Sequence, residues 1–353
     1  MSGEINLLKE MLEIYSPHGK EEAISQFLEK KLKQYGIQAH RDEVGNVLGE
    51  VGIGKPILLL CSHMDTVRGK LKVQTKDNII YGRGACDAKA SLAAMMLAMT
   101  RWVKKPLERK ILFAAVVDEE GASKGMKHLL NKGIEANYVV IGEPSRGSRI
   151  VIAYKGSLSL RAVVRGREGH VAASPLYENA IEKAFEFYQL LKVGIEETKE
   201  SLFYSTNVHL LTIRGGRKGR IPGRCEMLIN IRFPPGRKCK EILGEVSNLA
   251  SRFDKLSVKV VDCTEAYEAK KTSKIALSVF KAITRVRSEP AKFSRKTGTS
   301  DMNLMPRDVE AVSFGPGDPT LEHTDEEAIK IDDFLQAVDI YEQTIKELLA
   351  LEE

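Results

Sequence analysis

Histidine and carboxylate side chains, the residue types that hold divalent metals in hydrolases, recur directly after short apolar runs of this chain. His63 and Asp65 follow the run 56–62, Glu119 and Glu120 follow 110–117, and Glu143 follows 137–141. Ligand-binding residues of open α/β sheets collect at the carboxyl ends of parallel strands. If these runs are parallel strands, we expect the side chains to converge on one cleft.

Two of these motifs also have a less specialised interpretation. The spacing of His63 and Asp65 puts both side chains on one face of an extended segment, where the carboxylate can fix the imidazole beside a metal. A surface turn is the alternative. The adjacent carboxylates of Glu119 and Glu120 repel each other unless a cation is present, so one can bind metal while the other takes a proton from water. The alternative there is a solvated acidic turn.

Two further candidates lie in glycine-rich segments. Asp87 ends the sequence Gly-Arg-Gly-Ala-Cys-Asp at 82–87, just before a predicted helix, where it either binds metal or caps that helix. The glycine spacing matches neither a dinucleotide fingerprint nor a P-loop. His323 follows a Gly-Pro-Gly turn at 315–317 and precedes an acidic helix start, and alone it decides nothing. Together the five motifs suit two zinc ions that share a bridging carboxylate.

The elements that must position these residues divide the chain into two textures. Helices are predicted at 3–15, 21–35, 91–104 and 331–349, and strands at 46–51, 56–62, 110–117 and 137–141. This alternation indicates an α/β fold with a mixed, mainly parallel sheet. Between them, strands at 157–165, 207–214, 225–233 and 257–263 and helices at 178–191 and 241–253 follow the β-α-β-β-α-β order of a ferredoxin-like α+β unit. We predict a discontinuous domain, 1–155 and 264–353, around an inserted domain, 156–263.

Composition excludes several classes of protein. Hydrophobic residues make up 43% of the 353 residues, enough for a buried core rather than a disordered chain. The apolar runs are shorter than the ~20 residues that cross a bilayer, and the first residues do not resemble a signal peptide, so we expect a cytoplasmic protein without a membrane partner. The five scattered cysteines include no CxxC pair and predict neither a disulfide framework nor a zinc ribbon. Cys86 is interpreted as a buried bystander.

Basic residues are dense at 214–224 and 285–296 in a chain of net charge +6. Such clusters can attract an acidic partner, and an ordinary solvated surface is the alternative. No nucleic-acid motif accompanies them, so we predict no nucleic-acid partner.

The order His63-x-Asp65, Gly-Arg-Gly…Asp87, Glu119-Glu120, Glu143 and His323 resembles the M20 metallopeptidase family over nearly the whole chain. The resemblance implies a zinc-peptidase-like catalytic domain with an inserted lid and dimerisation domain, a homodimer, and hydrolysis of a linear amide bond with two Zn²⁺, for which Co²⁺ can substitute. It implies one ion on His63, Asp87 and Glu143 and another on Asp87, Glu120 and His323. Asp65 would orient His63, and Glu119 would be the general base that later protonates the leaving amine.

The resemblance also assigns residues of the inserted domain. His170, in Gly-His-Val-Ala at 169–172, would stabilise the oxyanion across the dimer, and Arg232 would bind a substrate carboxylate. Where family members carry Asn-Val-Ile-Pro this chain has Gly-Arg-Ile-Pro at 219–222, so Arg220 is expected to replace the asparagine. Thr299, in the segment 295–303, is assigned to substrate binding.

Within the family, the segment 295–303 and the acidic stretch around His323 look most like archaeal and thermophile-type hydrolases of lysine and arginine biosynthesis. Those enzymes release lysine or ornithine from the γ-carboxyl of the C-terminal glutamate of an acidic amino-group carrier protein, LysW. The basic residues that would suit this carrier are Arg217, Lys218, Arg220, Lys292, Arg295 and Lys296. The alternatives are a small-molecule deacylase of acetylornithine or succinyl-diaminopimelate type, a dipeptidase or carboxypeptidase, and a non-catalytic binding protein. The Glu119-Glu120 pair argues against the last.

Overall fold

The computed structural model describes residues 2–105 and 107–349 and divides them into two compact units. Within the described residues, unit 1 comprises 2–152, 269–294 and 304–349, and unit 2 comprises 153–268 and 295–303. Each unit has a hydrophobic core of its own.

The elements follow one another along the chain with short connections. The helices are α1 (Ser2–Glu13), α2 (Glu22–Gln34), α3 (Lys89–Thr100), α4 (Lys124–Asn131), α5 (Ala180–Ile195), α6 (Cys239–Ala250), α7 (Lys274–Arg287) and α8 (Ile331–Leu349), with 3-10 turns at Val171–Leu176, Leu202–Tyr204 and Asp301–Leu304. The strands are β1 (Gln38–Arg41), β2 (Val47–Val51), β3 (Ile57–His63), β4 (Gln74–Lys76), β5 (Ile79–Tyr81), β6 (Lys110–Val116), β7 (Tyr138–Ile141), β8 (Arg149–Tyr154), β9 (Gly156–Arg165), β10 (Gly169–His170), β11 (Asn207–Gly215), β12 (Arg220–Ile221), β13 (Arg224–Phe233), β14 (Leu256–Thr264), β15 (Tyr267–Glu268), β16 (Lys292–Lys296), β17 (Glu310–Ser313) and β18 (Ala328–Lys330).

The sheet of unit 1 runs β1-β2-β6-β3-β7-β17-β8, and the predicted α/β fold with a mixed, mainly parallel sheet is confirmed. Its centre, β6, β3, β7 and β17, is parallel, and antiparallel strands flank it on both sides. All seven residues of β3 are buried, as expected for a strand covered on both faces. The short antiparallel sheet β18-β5-β4 in the same unit was not predicted.

Helix α3 shows how apolar residues place the site. Its residues 89–99 are all buried, which explains an Ala- and Met-rich sequence without a polar face. It begins at Lys89, two residues before the predicted start, so that Asp87 lies in the irregular loop immediately ahead of the helix.

Unit 2 is the predicted ferredoxin-like unit. Its antiparallel sheet runs β11-β13-β9-β14, and α5 and α6 pack their apolar faces into the core of that sheet. Strands β11 and β14 lie at the edges of the sheet and are largely exposed.

One expectation about the cysteines is wrong. Cys239, at the start of α6, and Cys263, near the end of β14, form a disulfide across 24 residues of sequence, with 6.5 Å between their Cα atoms. The two positions meet because the last strand of the unit returns beside the start of the preceding helix, which cysteine spacing alone does not indicate. Cys61, Cys86 and Cys225 are free and buried.

Among the helices that the structure describes, none combines the length and the apolar character needed to span a membrane.

Candidate metal centre and anion site

The register of the parallel strands brings three of the predicted motifs to one edge of the unit 1 sheet. Cys61 of β3 pairs with Ala114 of β6 and with Ile141 of β7, so the three strands end at nearly the same level. His63 is the last residue of β3, and Glu143 lies two residues past the end of β7. The acidic turn after β6 reaches the same edge, as the carboxyl ends of neighbouring parallel strands must.

Asp87 lies between the two histidines and directs one oxygen to each. His63 Nε2 is 3.2 Å from Asp87 Oδ1, and His323 Nε2 is 3.1 Å from Asp87 Oδ2. His323 Nε2 is also 2.9 Å from Glu120 Oε1. A carboxylate that presents its two oxygens to two separate imidazoles is the arrangement that a bridging ligand of two metal ions requires.

Two acid and histidine groups in unit 1, among residues 2–105 and 107–349, have ligand atoms within 4.8 Å of one another. They are His63 with Glu119 and Glu120, and Asp87 with Glu120 and His323. Glu143 is 7% exposed at the same sheet edge but belongs to neither group. The structure therefore brings together five of the predicted residues and places the sixth nearby.

The electrostatics of the cluster favour positive charge. Hydrogen bonds to Asp87 and Glu120 raise the pKa of His323 to about 10. Burial opposes charge on the fully buried His63, yet hydrogen bonds to Asp65 and Asp87 raise its pKa well above the ordinary value. Buried carboxylates in this number need a counter-charge. Imidazole nitrogens among carboxylate oxygens are also the donors that Zn²⁺ takes, so the residues fit divalent cations.

Asp65 holds more than the sequence predicted. Its backbone carbonyl lies 2.9 Å from His63 Nδ1, which fixes the ring. Its two carboxylate oxygens accept the backbone N–H groups of Glu119 and Glu120 at 3.1 and 3.0 Å. Asp65 is fully buried, and it therefore fixes both the histidine and the turn that carries the two glutamates.

Sequence reasoning missed Glu327, which lies four residues after His323. It is 1% exposed, and one of its carboxylate oxygens accepts three backbone N–H groups of the loop that ends in Asp87. Its neighbours Asp325 and Glu326 are exposed. Nothing in this acidic run distinguishes the buried residue before the fold is known.

Unit 2 carries a second candidate site, built around Arg232 of β13. Its Nε donates to Asn230 Oδ1 at 3.0 Å, and its Nη1 is buried with no hydrogen-bond partner among the described residues. Burial lowers the pKa of Arg232. Burial and the nearby Arg232 lower the pKa of Lys155 to about 8. A buried guanidinium with an unused N–H is prepared for an anionic ligand, because an unsatisfied buried donor is costly.

The other residues predicted in unit 2 are exposed. Strands β10 and β12 pair His170 with Arg220. His170 Nδ1 accepts the N–H of Ala172 at 3.1 Å, so the neutral ring carries its proton on Nε2 and can donate from there. Thr299 is exposed in the loop after β16.

Comparison with known proteins agrees with this geometry. Residues 59–347 match the family model described as peptidase family M20/M25/M40. The LysW-lysine/LysW-ornithine hydrolase of Sulfurisphaera tokodaii is 36% identical over 345 residues, which cover 97% of this chain and 94% of that protein.

Solved structures share the fold at lower identity. A tripeptidase from Staphylococcus aureus superposes with a TM-score of 0.85 at 21% identity, covering 99% of this chain and 98% of its own. An M20 family metallo-carboxypeptidase from Sulfolobus solfataricus gives 0.83 at 18% identity, covering 99% and 100%. The chain belongs to peptidase family M20/M25/M40 and is a metal-dependent hydrolase of that family.

Proposed function

We propose that this protein releases lysine or ornithine from an amino-group carrier protein by hydrolysing the amide bond to the γ-carboxyl of the carrier's C-terminal glutamate. The observation that carries the proposal is the near full-length similarity to a relative named for this substrate, 36% identical over 97% of the chain. The clustered histidines and carboxylates of unit 1 supply the chemistry that such an amide requires.

In the proposed centre, His63, Asp87 and Glu143 hold one Zn²⁺, and Asp87, Glu120 and His323 hold the other, with Co²⁺ as a possible substitute. The distances from both histidines to Asp87 support a bridging role for that carboxylate. When bound, the two ions polarise the scissile carbonyl and make water a better nucleophile.

Glu119 is the proposed general base. Its backbone is held by Asp65, which leaves the side chain of the adjacent Glu120 to bind metal. Glu119 takes a proton from the attacking water and returns it to the nitrogen of the departing amino acid, so that the amine leaves in neutral form.

Arg232 is the proposed site for the carboxylate of the amino acid that is released. That carboxylate lies one carbon from the scissile nitrogen, and the unpaired Nη1 of Arg232 can donate to it. The outward Nε2–H of His170 suits an oxyanion, and Arg220 and Thr299 complete the proposed substrate contacts. We assign unit 2 the roles of lid and homodimerisation domain, and propose 156–263 as its boundaries within a catalytic domain of 1–155 and 264–353.

The carrier is expected to be acidic, and basic residues of this chain suit it. Arg217, Lys218 and Arg220 lie exposed between β11 and β13. Arg295 is less available, because it pairs with Glu268 at 2.9 Å. Since exposed charges are screened by salt, carrier binding should weaken as ionic strength rises. Biosynthesis on a carrier protein places the enzyme in the cytoplasm.

The test is to mix the zinc-loaded enzyme with carrier charged with lysine or with ornithine and to quantify free amino acid. We expect release from the carrier, slowed by high salt, and little hydrolysis of N-acetyl-ornithine, whose rate should respond less to salt. Rapid hydrolysis of N-acetyl-ornithine with no release from the carrier would instead identify a small-molecule deacylase.

A further inference from the structure

The carboxylate of Glu327 organises the loop that carries Asp87. Its Oε1 accepts the backbone N–H groups of Gly84, Cys86 and Asp87, each at 3.0 Å. The backbone carbonyl of Glu327 accepts a fourth N–H, that of Gly82, at 3.2 Å. The loop has no regular secondary structure, so these contacts determine where its backbone lies.

Arg83 joins the same carboxylate to the segment that carries His323. Its Nη1 donates to Glu327 Oε2 at 3.0 Å and to the carbonyl of Thr324 at 2.7 Å, while its Nε donates to the carbonyl of Gly69 at 2.8 Å. Arg83 is 4% exposed and Glu327 1%. A buried ion pair contributes little net stability, and its best-attested use is to specify one arrangement.

The two connected segments end in side chains that meet. Asp87 is the last residue of the loop that Glu327 grips, and His323 precedes Glu327 by four residues. Asp87 Oδ2 and His323 Nε2 are 3.1 Å apart. One buried glutamate therefore controls the separation of two atoms on distant parts of the sequence, although it touches neither side chain.

We propose that Glu327 is a positioning residue that sets Asp87 against His323 and so creates the binding site of the second metal ion. This rests on the proposed metal centre, in which Asp87, Glu120 and His323 hold that ion. The first ion keeps His63 and Glu143 on rigid strand ends and depends less on the loop. Removing a residue that orients metal ligands typically lowers metal affinity by about 10–100-fold.

The variant Glu327→Gln keeps the size of the side chain but removes the charge that holds three N–H groups and Arg83. The matched control is Glu326→Gln, an exposed neighbour. Both proteins are equilibrated with zinc buffered by a graded chelator, and bound zinc per chain is measured by elemental mass spectrometry. We expect Glu327→Gln to lose about 10–100-fold in affinity for the second ion only, and Glu326→Gln to titrate as the wild type. Saturating zinc should restore kcat in Glu327→Gln while KM stays unchanged.

Equal affinity of Glu327→Gln and wild type for both ions would overturn the proposal. If that variant does not fold, Arg83→Gln replaces it, since the three amide hydrogen bonds to Glu327 remain. It should weaken the second ion less strongly but selectively, and unchanged zinc binding there would also refute the role. Asp87→Asn tests the centre itself: if it still binds two ions, the proposed ligand set is wrong whatever Glu327 does.

Discussion

The two units treat buried charge in opposite ways. The cluster of unit 1 gathers carboxylates, among them Asp87 and Glu120, and its histidines are driven toward the charged form to compensate. In unit 2 the buried charge is positive: Arg232 lies near Lys155, and its Nη1 has no partner among the described residues. One unit is prepared to accept cations and the other to accept an anion.

This difference separates chemistry from recognition. Buried charges without counter-ions cost free energy in the isolated protein, and each unit recovers that cost only when its own ligand binds. The cations would be present throughout turnover, whereas the anion would arrive with each substrate. Perturbing the two units should therefore change different measured quantities.

The largest effect is expected from Glu119→Gln in unit 1. Because general base catalysis typically contributes about 10²–10⁴-fold, kcat should fall by roughly that factor, while zinc content stays unchanged. The control is Asp118→Asn, since asparagine tolerates the positive φ of 62° at that position. Turnover that survives in Glu119→Gln would show that another group takes the proton.

Zinc should stabilise unit 1 through the same cluster. At a free concentration of 100 times Kd, binding adds about 2.7 kcal/mol to the free energy of unfolding, measured as a rise in Tm. In His323→Asn this rise should shrink. Asparagine suits the positive φ of 63° at that residue, so the metal-free variant should melt near the wild type. An undiminished rise would remove His323 from the ligand set.

Arg232→Met should affect substrate recognition and leave zinc binding intact. Hydrogen bonds to charged groups are worth about 1.5–3 kcal/mol, so kcat/KM should fall roughly 10–150-fold. Stability should not fall, since a buried and incompletely paired charge is removed. The control is Arg161→Met, an exposed arginine of the neighbouring strand β9 that pairs with Glu226. A fall in both variants would show that the charge of the sheet, rather than Arg232, matters.

The smallest effect concerns pH and Lys155. The folded state holds the proton of Lys155 at a pKa of about 8, below the model value of 10.5 for the unfolded chain. Between these values unfolding takes up a proton, so the free energy of unfolding should gain a positive slope with pH. Urea titrations from pH 7.5 to about 10 should give a shallower slope for Lys155→Met. Parallel slopes would mean that the folded environment leaves Lys155 unperturbed.

Much of the fold follows from local pattern. The alternation of apolar strands with helices indicated the parallel centre of unit 1, and the β-α-β-β-α-β order indicated the ferredoxin-like unit, because both depend on periodicity and connection rules. The convergence of His63, Glu119 and Glu120 was expected for the same reason, since parallel strands end together. Their assignment to particular metal ions stays a prediction.

The rest required the folded chain. The second role of Asp65, as acceptor for the turn after β6, depends on how two loops meet, and no spacing encodes it. Glu327 is one acid in an acidic run until its burial is known. The disulfide was missed because Cys239 and Cys263 meet through the order of strands in the sheet.

That disulfide has a practical consequence for peptide mapping. Cys239 and Cys263 enclose α6 and the exposed Arg252 and Lys255, which are sites where trypsin can cut. A single cut at either residue opens the backbone but leaves both fragments covalently joined. On a denaturing gel the nicked chain would migrate as one band until a thiol is added, when two bands would replace it.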